Sequence, residues 1–159
     1  MELLCIVHES GQNLLRHVLA SEPAQAFQDW QPWRRLVVAA ATQILDCVGG
    51  VLLIPQSVLV HRYWQEIRAG LTDAGIPICH VVLHADRDEF IRRIDTDPAM
   101  PHSQWRFDHH DDYEAARPWH SREAHVIDTT GPTPHRVTRI VAVQAERTGP
   151  PTTDRDRAG

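Results

Sequence analysis

A chain of 159 residues, 42% hydrophobic and 23% charged, has the size and composition of one globular domain with a single buried core. Its formal charge of -5 excludes the basic field that nonspecific binding to nucleic acid or an anionic membrane requires. All 16 cationic side chains are arginine and none is lysine, which excludes Schiff-base and lysine-base chemistry and any phosphate loop of the pattern G-x-x-x-x-G-K-[ST].

The opening MELLCIVHESGQ has neither the basic stretch nor the small-residue cleavage site of a secretory signal, and no apolar run reaches the roughly 18 residues that span a bilayer. A cytoplasmic location is expected. Residues 3–7 (LLCIV) read as a buried strand, followed by a helix around residues 13–20 that stops at Pro23. Val37, Ala41, Ile44, Leu45 and Val48 fall on one face of a helix over residues 33–48, with Gly49 and Gly50 as its stop. VLLIP, residues 51–55, reads as a second, fully buried strand. Val60, Tyr63, Trp64, Ile67 and Leu71 then mark an amphipathic helix closed by Gly75 and Pro77.

ICHVVLH, residues 78–84, is the third strand, and residues 86–89 (DRDE) resemble a capping box that opens a helix through Phe90, Ile91 and Ile94 to Pro98. HVID, residues 125–128, is the fourth strand, and Thr133 and Pro134 start a helix through Val137, Ile140 and Val141. From Arg147 onward the chain is rich in Pro, Gly and Thr without periodicity and is expected to be disordered. Cys5, Cys47 and Cys79 are widely spaced among apolar residues, which predicts buried thiols rather than disulfides or a zinc site. Strands alternating with helices imply a parallel α/β sheet with helices on both faces, whose ligands lie beyond the carboxyl ends of the strands.

Four groups of residues could carry chemistry there. Gln56 and Ser57 offer an amide and a hydroxyl after the second strand, or only cap the next helix. Arg92, Arg93 and Arg106 are planar forks suited to phosphate, although adjacent arginines do not share a helix face and a surface role competes for each. His102, Asp108, His109, His110, Asp111 and Asp112, with His120 beyond, superficially suggest a metal site; their spacing matches no zinc template, so a solvated helix face is the better account and no metal ligand is assigned. Residues 128–132 (DTTGP) form a turn that presents backbone groups to a flat heterocycle or merely connects two elements.

The segments LLRHVLA (14–20), FQDWQPWRRLV (27–37), GGVLLIPQSVLVHRYWQEIRAGLTDAGIP (49–77), HADRDEFIRRIDTDP (84–98) and VIDTTGPTP (126–134) together resemble the tunicamycin-resistance-type ATP-binding proteins, a branch of the P-loop kinase-like fold. The resemblance runs from Leu14 to about Val143. It implies a three-layer α/β domain over residues 1–146, a parallel sheet flanked by helices, in which the family's first strand, P-loop and first helix are missing. LLCIV would be a sheet edge, and VLLIP and ICHVVLH would flank the vacant strand position. The implied activity is ATP- and magnesium-dependent phosphotransfer or ATP hydrolysis, directed at a small molecule in a resistance function.

Carried over residue by residue, the resemblance implies that Arg92, Arg93 and Arg106 belong to a catalytic lid over the phosphates. Arg16, Trp30, Trp33, Arg34 and Gln56 would lie on the side of the phosphate acceptor, and Thr129, Thr130, Gly131 and Pro132 beside the adenine. HESGQN, residues 8–13, has one glycine and no lysine and cannot replace the phosphate cradle, so nucleotide is expected to bind weakly or not at all. Two readings stay open: a shortened kinase-like protein whose true start lies upstream, and a non-catalytic module that binds a ligand or partner and forms a homodimer through the vacant sheet position.

Overall fold

The computed structural model describes residues 26–148, and the expected first strand, the helix after it and Arg16 lie outside them. A short 3-10 turn, Phe27–Asp29, leads into helix α1, Gln31–Val48, whose Pro32 stands in the first turn where no backbone donor is needed. Trp33, Val37 and Ala41 bury one face of α1, and the helix ends at Gly49 and Gly50, both with positive φ. Left-handed backbone of this kind is open to glycine at little cost, so the two glycines stop the helix as expected. Helix α2, His61–Asp73, buries Trp64, Ile67 and Leu71 and ends before Gly75, again at positive φ.

The two helices pack closely where α2 carries Gly70: a Cβ there would lie 3.0 Å from both methyls of Val38 on α1. Arg34 fastens the same pair. Its guanidinium is 5% exposed, bonds Glu66 at 2.7 Å, donates to the Gln28 carbonyl and lies 4.1 Å from the centre of the Tyr63 ring. The Gln28 side chain in turn accepts from the backbone N–H groups of Leu59 and Val60, which aligns the segment entering α2. These contacts border a core of Trp33, Val37, Ala41, Val58, Trp64, Ile67, Leu71, Ala116 and Trp119.

The second half alternates strand and helix: β1, Val81–His84; α3, Arg87–Asp95; α4, Gln104–Glu123; β2, His125–Asp128; α5, Pro134–Thr148. β1 and β2 pair in parallel, from Val81 opposite His125 to His84 opposite Asp128. Asp86 caps α3 by accepting from the Glu89 N–H at 2.8 Å. The reciprocal half of the expected capping box does not form, because the Glu89 carboxylate turns to Arg92 and Arg93.

Several expectations are corrected. Among the described residues the chain is an α/β fold with five helices and one short parallel pair of strands. Residues 51–55 are extended but carry a single bridge, at Leu52. Leu52 and Ile54 pack on the core while Val51 and Leu53 are exposed, the alternation of a one-sided segment rather than of a strand buried on both faces. Residues 78–80 precede β1 because the ladder is only as long as its four-residue partner, although the His80 carbonyl still accepts from His125 N–H at 2.9 Å. Cys47 is exposed near the end of α1, where the helix has left the core and Val48 is 68% exposed; Cys79 is half-buried and Cys5 lies outside the described residues. Arg147 and Thr148 continue α5 rather than opening a tail.

Arg34→Ala removes the buried fork while leaving the Gln28 carbonyl without its donor and Glu66 without its partner. It is expected to lower stability by about 2–4 kcal/mol in urea unfolding; a loss under about 0.5 kcal/mol, the range of ordinary surface substitutions, would show that the fork does not hold α1 to α2.

Candidate functional site

Parallel pairing brings the ends of β1 and β2 to one edge of the sheet, and the residues that follow them are bonded to each other. Thr129 is buried just past β2, and its N–H and its hydroxyl both donate to the His84 carbonyl at 2.7 Å. Thr130 Oγ1 accepts from the Asp86 N–H at 3.0 Å, and Asp128 accepts from the Thr130 N–H at 2.8 Å. The Thr130 backbone N–H first, then its hydroxyl, with His84 nearby, hold the Asp128 carboxyl below its ordinary range. Arg93 reaches over from α3 and donates to the hydroxyl and the carbonyl of Thr129.

Beyond this edge a cavity of about 350 Å³ opens between the start of α3 and the middle of α4, lined by His84, Asp86, Arg87, His110, Glu114 and Arg117. Arg117 is held by Glu114 at 2.8 Å, whereas Arg87 has no hydrogen-bonding or ion-pair partner among the described residues. His110 packs 4.8 Å from the Phe90 ring, and its buried Nδ1 lies 3.7 Å from the Asp111 carboxylate, too far for a hydrogen bond. His84 Nδ1 bonds the Tyr113 hydroxyl at 2.8 Å, and burial raises that phenol above its ordinary pKa, so it stays protonated at neutral pH. The cavity thus sets one uncommitted guanidinium, one shared guanidinium and two imidazoles beside the carboxylates of Asp86 and Glu114 at a helix start, and Arg87 is the group in it open to the oxygens of an anionic ligand.

The sequence-predicted residues occupy different surroundings. Glu89 accepts two hydrogen bonds from Arg92 and one from Arg93, and the bonds from these two arginines bring its carboxyl down to about 2. Arg106 bonds Asp97, which its guanidinium holds below the usual carboxylate range. All three arginines are therefore engaged by carboxylates of the chain. Arg93 and Thr129 are brought together, Gly131 faces open space and Pro132 is half-buried. Trp33 and Arg34 belong to the packing of α1, while Trp30 Nε1 and Gln56 Oε1 are buried without hydrogen-bond partners among the described residues. Among those residues no three of His, Cys, Asp and Glu converge on a point that could hold a metal ion.

No protein-family model matches the chain, and no curated protein matches it by sequence. A solved structure does match: the tunicamycin resistance protein of Deinococcus radiodurans, with a TM-score of 0.67 and 22% identity, over 89% of this chain and 79% of that one. The chain shares that protein's fold. The resemblance read from the sequence and the likeness found in three dimensions therefore concern the same kind of protein. Among the described residues, no helix is long and apolar enough to cross a membrane.

Arg87, Glu114 and Arg117 were not singled out by sequence reasoning, because nothing in their spacing announces that a cavity lies between two helices 27 residues apart at Arg87 and Glu114. The one local signal was the placement of Arg87 directly after a strand and its capping Asp86. Thr129→Val removes the hydroxyl that links His84 to Arg93 while keeping the side-chain shape. Thermal unfolding is expected to show a loss of about 1–2 kcal/mol; an unchanged melting temperature would mean that the hydroxyl does not hold this edge together.

Proposed function

We propose that the chain is a kinase-like nucleotide-binding protein with a resistance function of the kind its Deinococcus neighbour's name records, and that it takes phosphate groups at the cavity beyond β1 and β2. The observation that supports this most is the pairing of that fold with Arg87, an arginine without a partner among the described residues, on a polar cavity at the carboxyl edge of the sheet. In this reading Arg87 and Arg117 bind phosphate oxygens, His110 Nδ1 completes the set, and the open turn at Thr130, Gly131 and Pro132 receives the adenine. Thr129 and Arg93 position that turn. Arg92 and Arg106 join the phosphates only by leaving Glu89 and Asp97. Trp30 and Gln56, whose buried Nε1 and Oε1 have no hydrogen-bond partner among the described residues, belong in this reading to the acceptor side.

Magnesium would enter with ATP, screening phosphate charge rather than being held by a dedicated ligand set. A guanidinium cannot act as the compact, mobile point charge that a lysine ammonium supplies, and this chain has no lysine. ATP is therefore expected to bind weakly, with a dissociation constant of about 1 mM.

A second reading, a homodimer formed along the sheet, is favoured by the two-stranded sheet, which leaves β1 and β2 without a further strand neighbour among the described residues, and by Leu83, which is 56% exposed on β1. Light scattering across a concentration series is expected to show a dimer that Leu83→Glu disperses; a monomer at all concentrations would reject it. For the nucleotide, titration calorimetry with Mg-ATP is expected to give saturable millimolar binding that Arg87→Ala weakens about tenfold, the cost of one charge-assisted contact. Absence of heat at ~10 mM ATP, or tight binding near 1 μM, would overturn this assignment.

A further inference from the structure

Two imidazoles that the cavity does not use lie inside the packing of α4. The His80 ring stands 4.0 Å from Trp64 on α2 and 6.1 Å from Trp119 on α4, measured between ring centres. The His120 ring stands 3.8 Å from Trp119, 6.0 Å from His80 and 6.2 Å from Tyr113. His120 is 4% exposed. Both Nδ1 atoms are buried without a hydrogen-bond partner among the described residues, while the backbone of Val58 beside His120 and of Glu123 beside His80 each favours an N–H on the ring.

A neutral imidazole can satisfy its single N–H in this way and leave its other nitrogen against apolar rings. A protonated one carries a second N–H, for which the stack offers no acceptor. Burial first, and the neighbouring His120 second, bring His80 from its ordinary 6.5 down to about 4, and burial also lowers His120. Charged and titratable groups face the pair from three elements. From α4, Glu123 pulls His80 upward, and from β2 His125 pushes it down. From α2, His61 bonds Glu123 at 2.6 Å, Trp64 and Gln65 donate to it, and Arg68 lies 3.9 Å away. Desolvation raises Glu123, but His61, Trp64 and Arg68 outweigh it and leave that carboxyl below its ordinary range, hence ionised. Tyr113, a neutral phenol, faces His120.

The geometry points to a proton-sensitive joint: uptake of a proton by His80 or His120 unseats α4 from Trp64 and Val58, and with it the wall of the cavity formed by His110, Glu114 and Arg117, while the rest of the fold persists. The sign follows from the lowered affinity of the seated rings. Seating is fully favoured above about 6.5, where free imidazole is neutral, and is lost as pH falls toward 4. Over that window the released state gains about tenfold or more, the whole shift being discounted because solvent still reaches part of His80. The ion pairs of Glu89 and Asp97 outlast the window, since both carboxyls titrate below their ordinary values.

The test follows the full chain from pH 8 to pH 4 by tryptophan near-UV dichroism, far-UV dichroism and carbon-resolved histidine ring spectra. The expected result is loss of the near-UV signal with both rings titrating together below their free value, and helical far-UV signal retained. In His80→Phe, which keeps an aromatic ring without a titrating group, the near-UV transition moves to lower pH by about one unit, a tenfold change in proton concentration. Rings that titrate at about 6.5 with an unchanged near-UV signal would overturn the inference. So would simultaneous loss of both dichroism signals at one pH in the unmodified chain, a measurement that decides even where the variant does not fold.

Discussion

Much of this structure follows from four residues pairing with four others in the same direction. Parallel strands cannot be joined by a tight turn, so the residues from Ala85 to Ala124 must cross over and return, and they do so as α3 and α4. The crossover carries the start of α3 and the turn after β2 to one edge, where the His84 carbonyl takes two donors from Thr129. Asp86, Arg93 and Thr130 then close around that junction, and the cavity is the space left between α3 and α4 above it. Shift the register by one residue and Thr129 no longer meets His84.

The helices were legible where a single apolar face did the work. Trp64, Ile67 and Leu71 on α2, and Val37 and Ala41 on α1, are spaced as a buried stripe requires, and the stops at Gly49 and Gly75 are dictated by positive φ. The length of α4 was not legible. Its first half is largely Asp and His, Pro118 stands inside it and leaves the Glu114 carbonyl without an N–H four residues on, and its buried residues cluster near the end at Ala116, Trp119 and His120. Residues 51–55 misled because an unbroken apolar run gives no sign of which side chains face solvent. Of the site, the turn at residues 129–132 and its strand edge were readable, whereas the commitments of Arg92, Arg93 and Arg106 depend on Glu89 and Asp97 in geometry that composition does not reveal.

Arginine performs three distinct jobs in this chain. Arg34 is a buried fork that satisfies a carbonyl, a carboxylate and an aromatic face together; Arg93 bridges a helix and a turn; Arg87 is uncommitted at a cavity mouth. A planar group with five donors can do the first two, which a lysine could not. Of these three, Arg87 alone has no hydrogen-bonding or ion-pair partner among the described residues, so its donors stay open to an incoming anion.

The near-contact of α1 and α2 at Gly70 constrains how this sequence can diverge. With Val38 methyls 3.0 Å from where a Cβ would stand, a side chain gained at position 70 is accommodated when bulk is given up at position 38. Bulk at position 70 and bulk at position 38 therefore compete for one space between the two helices.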